Sequence, residues 1–107
     1  MAIYDLYEID VGSIVEARSL LEAILSLSLE ERDSSFHHGP YFAAGKTGEE
    51  NFELKFNLDP YENEPSEGAY PNAKFLFYVN NTKRSPMLGE ILSKANGSIK
   101  LLRHENL

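Results

Sequence analysis

Residues 51–71 read NFELKFNLDPYENEPSEGAYP, and the first eight of them set the fold class. Phe52, Leu54, Phe56 and Leu58 alternate with Glu53, Lys55, Asn57 and Asp59. A period of two marks a strand with one face toward a core and the other toward water. From Asp59 onward the periodicity stops, and the chain becomes acidic and punctuated by Pro60, Pro65 and Pro71. Two tyrosines, Tyr61 and Tyr70, sit in that segment with no pattern that would bury them. A regular strand carrying an acidic, aromatic-bearing loop is a common way to build a protein-binding surface.

Working outward, KFLFYV at 74–79 is almost continuously apolar, as in a central strand covered on both faces. Alternatively Phe75, Phe77 and Val79 pack on one face while Tyr78 reaches out from the other. SFHHGPYFAA at 35–44 is aromatic and broken at Gly39-Pro40, which predicts a bent or edge strand. Gly45-Lys46-Thr47-Gly48 then turns it back into 52–58 as an antiparallel hairpin.

The ends of the chain supply the remaining elements. AIYDLYEI at 2–9 reads as a first strand. Ser13 and Glu16 form a capping box, and Ile14, Ala17, Leu21, Ile24 and Leu25 fall on one helical stripe over 13–28. Arg18 and Glu22, four apart, can pair on the wet face. LEERDSS at 29–35 reads as a charged exit from that helix. Ser85 as cap with Pro86 at the first position starts a second helix, with Met87, Leu88, Ile91, Leu92 and Ala95 as its buried stripe and Asn96-Gly97 as its stop. Residues 98–102 form a short last strand, and 104–107 fray. The order is β-α-β-β-β-α-β, predicting an α+β two-layer sandwich: a mostly antiparallel sheet of about five strands with two helices. A ferredoxin-like arrangement with an extra strand is one topology of this kind.

At 107 residues the chain is read as a single domain, 1–107. It has no cysteine, so disulfides and thiolate ligands are excluded. MAIYDLYEID carries neither a basic region nor an apolar run of signal-peptide length, and no later run approaches a membrane span, so a cytoplasmic protein is expected. The formal net charge is −7, and it is unevenly placed: −5 over 1–48, −6 over 49–73 and +4 over 74–107. An acidic chain repels phosphates, which argues against nucleic-acid binding and for a basic partner.

The motifs that resemble catalytic or ligand sites do not hold up. His37 and His38 are adjacent, so on a strand they face opposite ways and cannot share one metal. Asp33, Ser34, Ser35 and His37 supply the residue types of a hydrolase triad without a nucleophile elbow. Gly45-Lys46-Thr47 lacks the upstream glycine of a phosphate-binding loop, Tyr41 standing in its place. The acidic residues lack the spacing of a calcium loop. The expectation is therefore a non-enzymatic chain with no cofactor and no metal. Glu49, Glu50, Asp59, Glu62, Glu64 and Glu67 would meet a basic partner, and Tyr61 and Tyr70 would anchor it.

YDLYEID leading to EARSLLEAIL, then DSSFHHGPYFAAG, ENFELKFN, an acidic loop and FLFYVNNTKRS make up a layout over residues 3–95. Glu50-Asn51-Phe52 and Tyr78-Val79-Asn80-Asn81-Thr82 are its most particular pieces. This layout resembles small bacterial immunity proteins of polymorphic-toxin and contact-dependent growth inhibition systems. The resemblance implies a monomer that binds the C-terminal domain of its cognate toxin in a 1:1 complex and neutralises it. Such toxins are frequently nucleases with cationic clefts. No inhibitory motif is shared across the family, so no binding residue is carried over, and the set named above rests on charge and exposure. The alternative is a small-ligand-binding or regulatory α+β module acting as a homodimer.

Overall fold

The computed structural model describes residues 2–34, 39–46, 48–58, 64–95 and 97–107. Eight elements follow in order: β1 (Ile3–Ile9), α1 (Ile14–Leu25), β2 (Glu30–Ser34), β3 (Gly39–Gly45), β4 (Asn51–Phe56), β5 (Phe75–Thr82), α2 (Ser85–Ser93) and β6 (Ile99–Asn106). All six strands join one sheet in the order β2-β3-β4-β5-β1-β6, and every neighbouring pair is antiparallel. The fold is α+β, as expected, with six strands in place of about five. Without β2 and β3 the chain reads β-α-β-β-α-β in the order β4-β5-β1-β6, the split arrangement of a ferredoxin-like sheet. The β2–β3 hairpin widens it by two strands.

Both helices lie on one face. Ala17 and Leu21 from α1 and Leu88 and Leu92 from α2 pack against Tyr7, Ile9, Phe42, Phe52, Leu54, Phe75, Phe77, Val79 and Ile99. Phe52 and Phe77 stack with centroids 5.8 Å apart inside this layer. The other face carries a smaller cluster, Leu6, Ala73 and Leu76, which no helix covers. β5 is therefore buried on both sides, as its continuous apolar run predicts.

The unforeseen strand is β2, which occupies the stretch read as a helix exit. Its sequence EERDS has no apolar alternation, so only tertiary contacts create it. Arg18 donates to the Leu29 carbonyl at 2.7 Å, and Glu22 accepts from the Leu29 amide at 2.7 Å. The two α1 side chains also approach each other, at 3.6 Å. Leu29 is thus held fully buried, and the chain leaves it in register with β3, Glu30 opposite Ala43. β3 is consequently an interior strand; β2 is the edge.

Four further expectations are corrected. Phe56 and Leu58 continue the apolar alternation of β4 but remain 44 % and 47 % exposed. Ser85 is the first residue of α2, not its cap; Arg84 holds the cap position, and the Ser85 hydroxyl donates to Asp5. Met87, assigned to the buried stripe, is 47 % exposed. The last strand does not fray at 104, because β6 pairs with β1 as far as Asn106 opposite Ile3, and Ala2 and Leu107 exchange backbone hydrogen bonds beyond it. The Ser13 cap behaves as predicted, accepting from the Glu16 amide at 3.1 Å.

Candidate functional site: a strapped acidic loop

Asn57 closes β4 and is buried. Its side-chain amide donates to the carbonyls of Tyr70 at 2.9 Å and Ala73 at 2.7 Å, and its side-chain oxygen accepts from the Glu67 amide at 2.9 Å. Its own amide donates to the Lys74 carbonyl at 3.0 Å. One residue therefore satisfies backbone groups of Glu67, Tyr70, Ala73 and Lys74 along the returning half of the loop.

That half lies over the face of the sheet opposite the helices. The Glu67 carboxylate accepts from the Tyr78 hydroxyl at 2.6 Å and from the Arg103 guanidinium at 3.0 Å. Burial alone would push the Glu67 carboxyl up, but the bonds from Tyr78 and Arg103 outweigh it and hold the group below its ordinary value. Burial, reinforced by the adjacent Glu67 carboxylate, pushes the Tyr78 phenol far above its ordinary range. Tyr70 packs on the Leu6–Ala73–Leu76 cluster and donates its hydroxyl to the Leu102 carbonyl at 2.8 Å. Two of the expected partner-binding residues, Glu67 and Tyr70, thus spend their polar groups inside the molecule.

What faces outward at this end is different. Phe56, its ring tilted against Phe75 at 5.6 Å, and Leu58 are exposed where the loop leaves β4. Glu64 is exposed too. Asp59, Tyr61 and Glu62 lie outside the described residues. The alternating pattern gave Phe56 and Leu58 to the core; the Asp59-Pro60 that follows was the available sign that the strand was ending there.

Glu49 and Glu50 are at the other end of β4, about 20 Å away at the ordinary rise of a strand. Glu49 is exposed. Glu50 takes a two-pronged bond from Arg84, the closest contact being 2.6 Å, and a further bond from the Thr82 hydroxyl at 2.7 Å. The Arg84 hydrogen bonds hold its carboxyl below the usual range despite partial burial. Asn81, in the left-handed region at φ 55, donates to the Gly48 carbonyl at 2.9 Å. Asn80 bridges Asn51 and Glu53 at 3.0 Å each. The two particular pieces of sequence, 50–52 and 78–82, are therefore neighbours in register, Asn51 opposite Asn80 and Phe52 opposite Val79. Gly48, Glu49, Glu50, Asn81, Lys83 and Arg84 line an open cavity of about 570 Å³ beside them.

The six acids accordingly do not form one patch. β4 separates Glu49 and Glu50 from Glu64 and Glu67. The one acid–histidine–serine cluster among the described residues is elsewhere: Asp5, 2 % exposed, accepts from Ser85 at 2.6 Å and from His104 Nδ1 at 2.5 Å. Here the carboxylate stands between serine and histidine, so the nucleophile-to-base contact of a hydrolase triad is not formed. Its place at the start of α2 ties that helix to β1 and β6. His37 and His38 lie outside the described residues. Among the described residues no helix is long and apolar enough to cross a membrane.

No protein-family model matches this chain, and no curated protein sequence matches it.

Proposed function

We propose that this protein is a non-enzymatic immunity protein that acts in the cytoplasm, binding a basic toxin domain, most readily a nuclease, and neutralising it in a stoichiometric complex. The observation that carries this reading is the pair Phe56 and Leu58, both exposed at the foot of an acid-bearing loop whose returning half is strapped down. Exposed apolar side chains beside an acidic stretch of sequence suit an interface whose centre is apolar and whose rim selects the partner. The strap lowers the ordering cost of binding, because residues 67–74 are already fixed by Asn57, Tyr78 and Leu102. The resemblance in layout to immunity proteins and the net charge of −7 support the same reading.

The anchors in this proposal are Phe56 and Leu58, and Asp59, Tyr61, Glu62 and Glu64, which follow them in sequence, would add to the contact; Glu67 and Tyr70 hold the returning half of the loop in place. Glu49 and Glu50, at the far end of β4, would form a second contact only with a partner long enough to span the strand. The test is co-expression of the tagged protein with the toxic C-terminal domain encoded beside its gene. A 1:1 complex with toxicity abolished is expected, and Phe56→Ser with Leu58→Ser should release the toxin. A complex that survives both changes would move the contact surface away from the loop. A toxic domain that neither binds nor loses toxicity would remove the immunity reading.

A further inference from the structure

The two edges of the sheet are not alike. β2 is five residues long, and its sequence EERDS is net −2, a combination that discourages further pairing. β6 is eight residues long, with Leu101 49 % exposed and Lys100 exposed beside it. A long strand at the end of the sheet with an uncovered leucine invites another strand.

The faces of β6 are fixed by its partner β1. Ile99, Leu101 and His104 lie opposite Ile9, Tyr7 and Asp5 on the helix side; Lys100, Arg103 and Glu105 lie opposite Glu8, Leu6 and Tyr4 on the other. Leu102 also packs on that other side, against the Leu6 cluster. The irregularity in register between Leu6 and Tyr7 therefore puts two consecutive residues, Leu102 and Arg103, on one face. A strand with such a bulge at its middle matches its own faces across a two-fold axis in one register. In that register Leu102 faces Arg103 of the other copy, Leu101 faces His104, Lys100 faces Glu105 and Ile99 faces Asn106, each pair on a common face. A shift by one residue would set Ile99 against Glu105, and the faces would no longer agree.

We infer that two copies of this chain pair antiparallel through β6, joining their sheets into one of twelve strands. The axis passes between Leu102 and Arg103. Charge agrees with geometry: Lys100 of one copy meets Glu105 of the other, twice by symmetry, and the exposed Leu101 is covered. An isologous contact of this kind closes at two subunits. The inference does not need the toxin-binding reading, since its contacts are all on β6, whereas Phe56 ends β4, three strands from the axis.

Sedimentation velocity of the purified full-length chain over a wide concentration range tests it, with hydrogen exchange of the β6 amides at both ends of that range. A monomer–dimer equilibrium is expected, with β6 amides protected more at high concentration. Lys100→Glu alone should weaken the dimer about tenfold, since each of two opposite-charge pairs becomes a like-charge one. Combining it with Glu105→Lys should restore association. A monomer at every concentration overturns the inference. So does growth past the dimer, which would signal β6 pairing with β2 in open chains. A dimer indifferent to Lys100→Glu, or not rescued by the exchange, overturns the register.

Discussion

The hydroxyl of Tyr78 and the carboxylate of Glu67 meet at 2.6 Å on the side of the sheet that no helix covers. Tyr78 comes from the centre of β5 and Glu67 from the returning half of the acidic loop, so this bond helps hold that half on the sheet. Tyr78→Phe keeps the ring and removes the donor. Because the acceptor is charged and partly buried, the loss should be about 1.5–3 kcal/mol, less whatever water recovers at Glu67. Urea unfolding measures it, and hydrogen exchange of the 67–74 amides should show those residues loosened first.

Asn57→Ala should be more damaging than its size suggests. It strips partners from the Glu67 amide and from the Tyr70 and Ala73 carbonyls together. Each polar group left buried and unpaired costs on the order of 1–3 kcal/mol. The expected result is a large drop in the urea midpoint. Asn57→Asp is informative beside it, since it retains the acceptor for Glu67 and loses both donations.

Acid should destabilise the fold in a definite window. Glu50 and Glu67 are both held below the ordinary carboxyl value of 4.5 in the folded chain, Glu50 by Arg84 and Glu67 by Tyr78 and Arg103 against the effect of burial. A carboxyl with a lowered folded value contributes stability that is fully present above its unfolded value. That contribution is lost as pH falls below about 4.5 and through the lowered folded values. Unfolding free energy measured between pH 7 and pH 3 should fall toward acid, and Glu50→Gln or Glu67→Gln should each flatten the slope. A slope unchanged in both variants would place the titrating groups elsewhere.

Two glycines of the β3–β4 turn region separate conformational from steric cost. Gly45 and Gly48 both have positive φ, 86 and 90, but a Cβ at Gly45 would stand 2.4 Å from the Glu50 carbonyl, whereas one at Gly48 meets nothing within 4 Å. Gly48→Ala should cost about 1 kcal/mol for the left-handed backbone alone. Gly45→Ala should cost distinctly more, because the turn that presents Glu50 to Arg84 must move. Thermal unfolding of the two variants orders them.

For the partner surface, truncating Phe56 to Ala should leave stability little changed, since the ring is already 44 % exposed, while costing about 2 kcal/mol of toxin affinity if it anchors the interface. Titration calorimetry against the toxin domain separates the two effects. An affinity unchanged by Phe56→Ala and Leu58→Ala together would remove them as anchors.

Much of the architecture was legible because it rests on local periodicity. Phe52 and Leu54 alternate into the core, Ala17 and Leu21 repeat at helical spacing, and Ser13 caps α1 as its sequence predicts. These patterns express a strand's period of two and a helix's period of 3.6, which do not depend on the rest of the chain. β2 was not legible: Glu30–Ser34 has no pattern of its own and is a strand because Arg18 and Glu22 hold Leu29 and β3 offers a ladder.

The same division runs through the candidate site. Sequence alone determined that residues 49–73 are acidic, that their loop is aromatic, and that the chain offers no thiol chemistry. Only the tertiary structure decided which of those groups stay exposed. It turned Glu67 and Tyr70 inward through Tyr78, Arg103 and Leu102, paired Glu50 with Arg84, and left Phe56 and Leu58 exposed. The physical reason is distance along the chain. Glu67 and Arg103 are 36 residues apart, and Glu50 and Arg84 are 34, so no local pattern marks them as partners. Their pairing exists only once the sheet has set β4, β5, β1 and β6 side by side.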